Sequence, residues 1–398
     1  MRVAVAGAGS FGRNHLRVYR ELETAGEGVA LVAAVEPNAE RAAETAAKYA
    51  IPVFSTPEEL LASDLKVDAA TVAVPTVHHH AAASALLDGG LDLLVEKPLA
   101  ATLSEADDLI ARAGKNGRLL QPGHLERFNP AVLTVEPRLK RPMFFESHRL
   151  SIFGPRALDV DVVLDLMIHD LDIVLTFANS EVREVRAVGL PILSPKVDIA
   201  NVRVEFESGC VANFTASRVS TERVRKLRFF EPRQYVSIDY ARQDLLVIRM
   251  DGVAGGAADC AVGANAGTLA GIVAQLPPEL AAGVGAALAS GKVDPALLAQ
   301  LAASGKIDPS LLAMAGTFLQ GGKTGPAPGL SFVKPEVTPG EPLKLELLSF
   351  LNAVRTRSVP KVTARQGRNA LALALEIQAT MAAHAQRAGL GDFFHPGA

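Results

Sequence analysis

The stretch Arg2-Val-Ala-Val-Ala-Gly7-Ala-Gly9-Ser-Phe-Gly12, running on through Arg13-Asn-His-Leu-Arg-Val-Tyr-Arg-Glu-Leu22, decides the fold. A short apolar run stops at three glycines spaced Gly-x-Gly-x-x-Gly, and an amphipathic segment, Phe11–Leu22, follows directly. That spacing is weak alone but informative between a strand and a helix, where it marks a dinucleotide site. Gly7 permits a tight turn, Gly9 lets the backbone approach a pyrophosphate, and Gly12 lets helix and strand pack closely. The helix start offers unpaired N–H groups and the positive end of its dipole to phosphates, which brings Ser10 and Phe11 to the ligand side.

Outward from that turn, a second apolar run, Val29–Val35, ends at Val35-Glu36-Pro37. Glu36 stands at the spacing where a carboxylate accepts hydrogen bonds from the adenine ribose hydroxyls. A 2′-phosphate there would meet it at ~4 Å with a repulsion of about 4 kcal/mol, so NAD is favoured over NADP, with Arg41 softening the preference. Pro57–Ala62 and Val77–Leu87 read as helices, and Ala69–Val74 and Asp92–Val95 as buried strands. Continuous apolar strands alternating with helices predict an α/β domain over residues 1–122, a doubly wound parallel sheet of the Rossmann type. Strand ends in such a sheet line the ligand crevice. Pro75 and Thr76 close one strand, His79 follows, and Glu96-Lys97-Pro98 closes the next. His78-His79-His80 suggests a metal, but adjacent side chains diverge and no carboxylate or cysteine completes a set, so no metal is expected.

The pattern changes after Gly123. Ala200, Val202, Val204 and Phe206 alternate with Asn201, Arg203 and Glu205; Glu207-Ser-Gly is turn chemistry, and Val211–Ser217 alternates again. Period two marks half-exposed antiparallel strands, and Gln234–Met250 supplies more of them. Residues 123–345 therefore read as an α+β domain with a large open antiparallel sheet. It is interrupted by an Ala/Gly-rich insert at about 252–330, in which Ala289–Leu298 recurs as Ala303–Leu312. Each copy offers Asp as N-cap and Pro at the first helical position, predicting two short helices. The last part, 346–398, reads as helices that pack back on the first domain, with Thr363 capping Ala364–Arg387.

Val160–Leu175 carries the chemistry of the second domain. On an α-helix, Asp165, His169 and Asp172 fall at i, i+4 and i+7 on one face, beside an apolar stripe of Leu164, Met167, Ile168, Leu171 and Leu175. An imidazole titrates near neutral pH and suits proton removal from an alcohol. His169 is then the base, Asp165 orients it, Asp172 binds substrate hydroxyls, and Lys97 stabilises a developing alkoxide. The roles also read with Lys97 as proton carrier and His169 as positioner.

The run from His79 to Glu96-Lys97-Pro98, Arg127-Phe128-Asn129-Pro130 and Asp165-xxx-His169-xx-Asp172 together resemble the Gfo/Idh/MocA oxidoreductases over nearly the whole chain outside the insert. The resemblance implies that Lys97 touches nicotinamide ribose and substrate, that His79 lies beside the cofactor, and that the open sheet joins copies into a homodimer or homotetramer. Gly123-His124-Leu-Glu-Arg127-Phe-Asn129-Pro130 and Asp161–Asp170 are more particular. They resemble members that oxidise carbon 3 of UDP-N-acetylglucosamine, which implies a sugar-nucleotide substrate touched by His124, Arg127 and Asn129. Arg127, Arg149, Arg156, Arg218, Arg223 and Arg225 would then form a basic rim for its diphosphate. An inositol or free-sugar dehydrogenase is the alternative within the family, and a non-catalytic NAD(H) sensor the alternative outside it.

Bulk properties bound these readings. A net charge of −3 over 398 residues shows no general attraction to nucleic acid or anionic membrane. Two cysteines form no disulfide framework, the short apolar start is a strand and not a leader, and no run is long enough to span a bilayer, so a cytoplasmic setting is expected.

Overall fold

The computed structural model describes residues 1–154, 160–250 and 330–390. The two repeat helices of the insert and Arg156 lie outside the described residues. Six strands, β1 (Arg2–Ala6), β2 (Ala30–Val35), β3 (Val53–Phe54), β4 (Ala69–Val72), β5 (Asp92–Glu96) and β6 (Leu120–Gly123), form a parallel sheet in the order β3-β2-β1-β4-β5-β6. The strand order reverses between β1 and β4, and that switch point is where a doubly wound sheet opens a crevice. Helices α1 (Ser10–Thr24), α2 (Ala39–Tyr49), α3 (Pro57–Ala62), α4 (His79–Asp88) and α5 (Leu103–Lys115) cover the two faces. β1 and β5 are buried on both sides, as their unbroken apolar sequence requires. The segment expected as one helix from Val77 begins instead with a tight 3₁₀ turn, Thr76–His78, before α4.

The second sheet holds β7 (Phe144–Leu150), β8 (Val182–Leu190), β9 (Ile199–Phe206), β10 (Val211–Ser217), β11 (Val224–Glu231), β12 (Gln234–Asp239), β13 (Asp244–Met250) and β14 (Leu330–Val333). Its order is β14-β13-β12-β11-β7-β10-β9-β8. It is mixed, not wholly antiparallel: β7 and β10 run parallel, because β7 enters from the first domain and the β9–β10 hairpin docks alongside it. Ala200, Val202, Val204 and Phe206 face inward as the alternation predicts. Met250 pairs with Leu330, so the chain returns to the sheet edge it left.

Among the described residues the remaining α-helices are α6 (Pro130–Val135), α7 (Ile168–Ala178), α8 (Pro342–Thr356) and α9 (Ala364–Arg387). α8 buries Leu347, Phe350, Leu351 and Val354 in the core under β1 and β2. α9, capped by Thr363 and Gln366 in a reciprocal box, sends Leu371 to the first core but Ala370, Leu373, Ala374, Ile377 and Met381 to the second. So only the first of the two terminal helices packs chiefly on the first domain; the apolar stripe of the second matches α7 and the sheet. Among the described residues no helix is long and apolar enough to cross a membrane.

Candidate active site

The turn after β1 is closed by backbone contact. Gly7 has φ +96°, and a Cβ there would stand 2.6 Å from the Ala73 carbonyl oxygen at the end of β4. A Cβ on Gly12 would stand 1.8 Å from the Gly7 carbonyl oxygen. At Gly9 nothing lies within 4 Å, so this backbone alone is left open. No side chain caps α1, and Ser10 and Phe11 are exposed at its start. Two glycines that seal the turn, one that leaves it open, and an uncapped helix N-terminus fit a dinucleotide pyrophosphate. Glu36, buried at the end of β2, accepts from the Ala8 N–H at 2.9 Å, the Asn38 N–H at 3.0 Å and the Arg41 guanidinium at 2.8 Å. Burial opposes its charge, but these donors prevail and hold the carboxyl below its ordinary range.

Across the crevice, β5 presents Glu96 and Lys97. One Glu96 oxygen lies 2.7 Å from Nε2 of His15, which is wholly buried on α1, and the other accepts the Lys97 N–H at 3.2 Å. A Cβ at position 123 would fall 3.2 Å from the Glu96 carboxyl, which is why β6 ends in glycine. His79 lies buried beside this loop, with Nδ1 2.8 Å from the Pro98 carbonyl and Nε2 2.9 Å from that of Val74. It ties the turn after β4 to the turn after β5. His80 turns away to Asp108, and among the described residues no three His, Cys, Asp or Glu side chains gather as a metal set.

The Lys97 side chain reaches the second domain. Its Nζ donates to the Asp165 carbonyl at 2.8 Å and, more weakly, to that of Leu164 at 3.5 Å. Those carbonyls belong to a π-helical turn, Val163–Met167, that precedes α7. The stretch expected as one α-helix begins with this π-helical turn, and no hydrogen bond joins Asp165 to His169. The carboxylate of Asp165 acts on Lys97 instead. Burial pushes the Lys97 amine below its ordinary value, against the attraction of Asp165 and Glu96. His169 is pushed well below its own by burial first, then by the charges of Lys97, Arg149, His124 and Arg225. Amine and imidazole thus share one buried neighbourhood.

Among the described residues, three of the arginines expected in a basic rim, Arg127, Arg149 and Arg218, are buried in pairs. Arg149 is an internal strut: it pairs with Asp170 at 2.7 Å and Glu126 at 3.1 Å and lies over the Tyr240 ring at 5.2 Å. Arg218 pairs with Asp198 at 2.7 Å. Arg127 donates to Thr176 at 2.5 Å and approaches Asp172 at 3.6 Å. Buried guanidiniums need partners, and carboxylates that composition alone does not place supply them. Arg223 and Arg225 remain exposed. Asn129 caps α6 through the Ala131 N–H and donates to the Tyr240 carbonyl. His124 is buried with neither ring nitrogen bonded, 4.0 Å from Asp172. Glu126, Asp170, His15 and Glu346 were missed. The signal for Asp170 was a carboxylate inside an apolar run, and for His15 an imidazole on the buried stripe of α1; Glu346 gave none.

The oxidoreductase-family model described as an NAD-binding Rossmann fold matches residues 1–124, and the Gfo/Idh/MocA C-terminal domain model matches residues 132–233. A UDP-N-acetylglucosamine 3-dehydrogenase of Acidithiobacillus ferrooxidans is 38% identical over 246 residues, 62% of this chain and 76% of that protein. This chain belongs to the Gfo/Idh/MocA oxidoreductase family. It is an NAD-binding enzyme. The solved structure of a UDP-N-acetylglucosamine 3-dehydrogenase from the same organism superposes with a TM-score of 0.73 at 28% identity, covering 96% of this chain and 98% of that one. The scyllo-inositol 2-dehydrogenase of Bacillus subtilis is 27% identical over 55% of this chain and 68% of its own length.

Proposed function

We propose that the enzyme oxidises the hydroxyl at carbon 3 of UDP-N-acetylglucosamine to a ketone, with NAD as hydride acceptor. The observation that carries this reading is that Lys97, at the end of β5, reaches the π-helical turn that leads into His169, so that a basic amine and an imidazole share one site below the phosphate turn. Support for the substrate comes from the 38% relative, whose name carries that activity.

When bound, NAD supplies the acceptor for the hydride. His169, held neutral by burial and by surrounding cations, accepts the hydroxyl proton. Lys97, fixed by the Leu164 and Asp165 carbonyls, stabilises the alkoxide as it forms. His79 positions the Glu-Lys-Pro turn, and Asp172 with Arg127 and His124 gives the sugar side of the cleft its polarity. Glu36 disfavours a 2′-phosphate. The reading includes association of copies through the outer face of the second sheet, where Phe144 stacks on Phe230 and Tyr235 packs tilted against it.

Purified enzyme is assayed for NADH formation with UDP-N-acetylglucosamine, myo-inositol and glucose, with NAD and then NADP. Turnover is expected with the nucleotide sugar and at least tenfold better with NAD; the acidic group at position 36 carries that margin. Turnover with inositol and none with any nucleotide sugar overturns the substrate assignment.

A further inference from the structure

α1 opens at the glycine turn, and its inward face reaches two further strands. His15, on the second turn of the helix, is wholly buried, and its Nε2 lies 2.7 Å from Oε1 of Glu96 at the end of β5. One turn along the same face, the Tyr19 hydroxyl meets the Thr71 hydroxyl of β4 at 2.9 Å. The two bonds pin α1 to the strands on the other side of the switch point. The second Glu96 oxygen accepts the Lys97 backbone N–H at 3.2 Å. This carboxyl has little room to move, since a Cβ at position 123 would stand 3.2 Å from it. The Lys97 amine then meets the Asp165 carbonyl at 2.8 Å. Hydrogen bonds thus lead from α1 through Glu96 to the residue that carries the amine. Apolar residues would fill this space at lower cost than a buried imidazole–carboxylate pair.

We propose that His15 is a positioning residue: by gripping Glu96 it sets the Glu-Lys-Pro turn, and so holds Lys97 in register with the helix whose start receives the cofactor phosphates. The bond to Glu96 is the only one the ring makes among the described residues, since Nδ1 has no partner. That fixes the tautomer. Nε2 carries the proton and donates to the carboxylate; a second proton, on Nδ1, would be an unpaired buried N–H. Among the described residues no other group donates to Oε1 of Glu96. Without His15 an enclosed carboxylate loses one of its two donors and must turn to find another, and the Lys97 N–H that it holds turns with it. The proposal takes Lys97 as the reacting amine of the function above.

The test reads Lys97 directly and needs no substrate. Lys97 is half-buried, within reach of a small amine-reactive reagent. Its labelling rate, relative to that of the exposed Lys115, is measured by peptide mass spectrometry in the unaltered full-length enzyme and in His15→Leu, His15→Gln and Tyr19→Phe. Leucine removes the donor to a buried carboxylate, and Lys97, freed from the carbonyls of the π turn, is expected to label about tenfold faster. Glutamine returns an N–H at the reach of Nε2 and is expected to stay within about threefold of the unaltered enzyme. Tyr19→Phe removes the other bond of the same helix face and is expected to lower the melting temperature while leaving Lys97 labelling unchanged. Leucine at the unaltered rate, or slower, overturns the proposal. Glutamine as fast as leucine would show that the shape of the ring matters and not its donor. Phenylalanine as fast as leucine would show a general loosening of α1. Either result overturns it equally. NADH binding and a cooperative melt report folding; if leucine fails these, His15→Met replaces it with the same expectation. Because labelling requires no turnover, an inactive nucleotide sugar would sink the substrate assignment and leave this result standing.

Discussion

Two turns converge on the cleft, and they differ in what holds them. The turn after β1 is held chiefly by close backbone approach: Gly7 leaves no room for a Cβ against Ala73, Gly12 leaves none against Gly7, and Glu36 accepts the Ala8 N–H. The π turn before α7 is held from outside. Asp161 caps it through the Val163 and Leu164 N–H groups, Gln378 of α9 holds the other oxygen of Asp161, and Lys97 of β5 takes its carbonyls. The glycine turn is fixed mainly by close backbone approach. The supported turn is fixed by side chains from residues 67 and more than 200 positions away, and it is the supported turn that Lys97 contacts and that leads into His169.

The sharpest way to break the comparison is to remove those groups. Lys97→Ala and His169→Ala are each expected to lower kcat/KM by roughly 10²–10⁴-fold while NADH binding, measured by fluorescence, is retained. Since His169 is held below its ordinary value, the acid limb of the kcat/KM profile of the unaltered enzyme should lie below pH 6.5, the usual imidazole midpoint. A limb above that value would show that the imidazole is charged in the cleft.

A second test concerns support at a distance. Asp198 accepts from the Ile192, Leu193 and Ser194 N–H groups, from the Ser194 hydroxyl and from Arg218. These donors outweigh burial and hold its carboxyl far below the ordinary range. Asp198→Asn removes the anion that pairs with buried Arg218 and is expected to cost about 3–5 kcal/mol of stability by chemical denaturation. The depressed folded-state value fixes the sign: the contribution is complete above the unfolded carboxylate value near pH ~4 and drains away as pH falls below it. The asparagine variant should therefore lose less stability on acidification than the unaltered enzyme.

The smallest effect separates the glycines of the local turn. Gly12→Ala meets the Gly7 carbonyl and should cost about 1–3 kcal/mol of stability. Gly9→Ala meets nothing in the protein and should leave the melt unchanged while weakening NAD binding. Equal melting losses in both would show that Gly9 also seals the turn.

The same contrast explains what could be read in the sequence. β1, α1, β2 and the hairpin of β9 and β10 were legible because period and glycine spacing report them locally. The pairing of β7 with β10 was not, since parallel neighbours need not be near in sequence. Lys97, His169 and Asp165 were legible as residue types at strand and helix ends. The π-helical turn before α7 was not legible, because helical periodicity in a sequence does not distinguish α from π winding. The arginines were misread because a charge in a sequence does not reveal whether a carboxylate 20 residues away will bury it.

What the sequence determined alone was the nucleotide half: three glycines whose missing side chains are the structure, and a carboxylate one strand on. Only the tertiary structure decided which way Lys97 points, and that its amine meets the backbone carbonyls of the turn before α7. The steric exclusion at Gly12 acts against the Gly7 carbonyl five residues earlier and so is written locally. Electrostatic setting depends on which groups share a low-dielectric pocket, and packing of the whole chain chooses them.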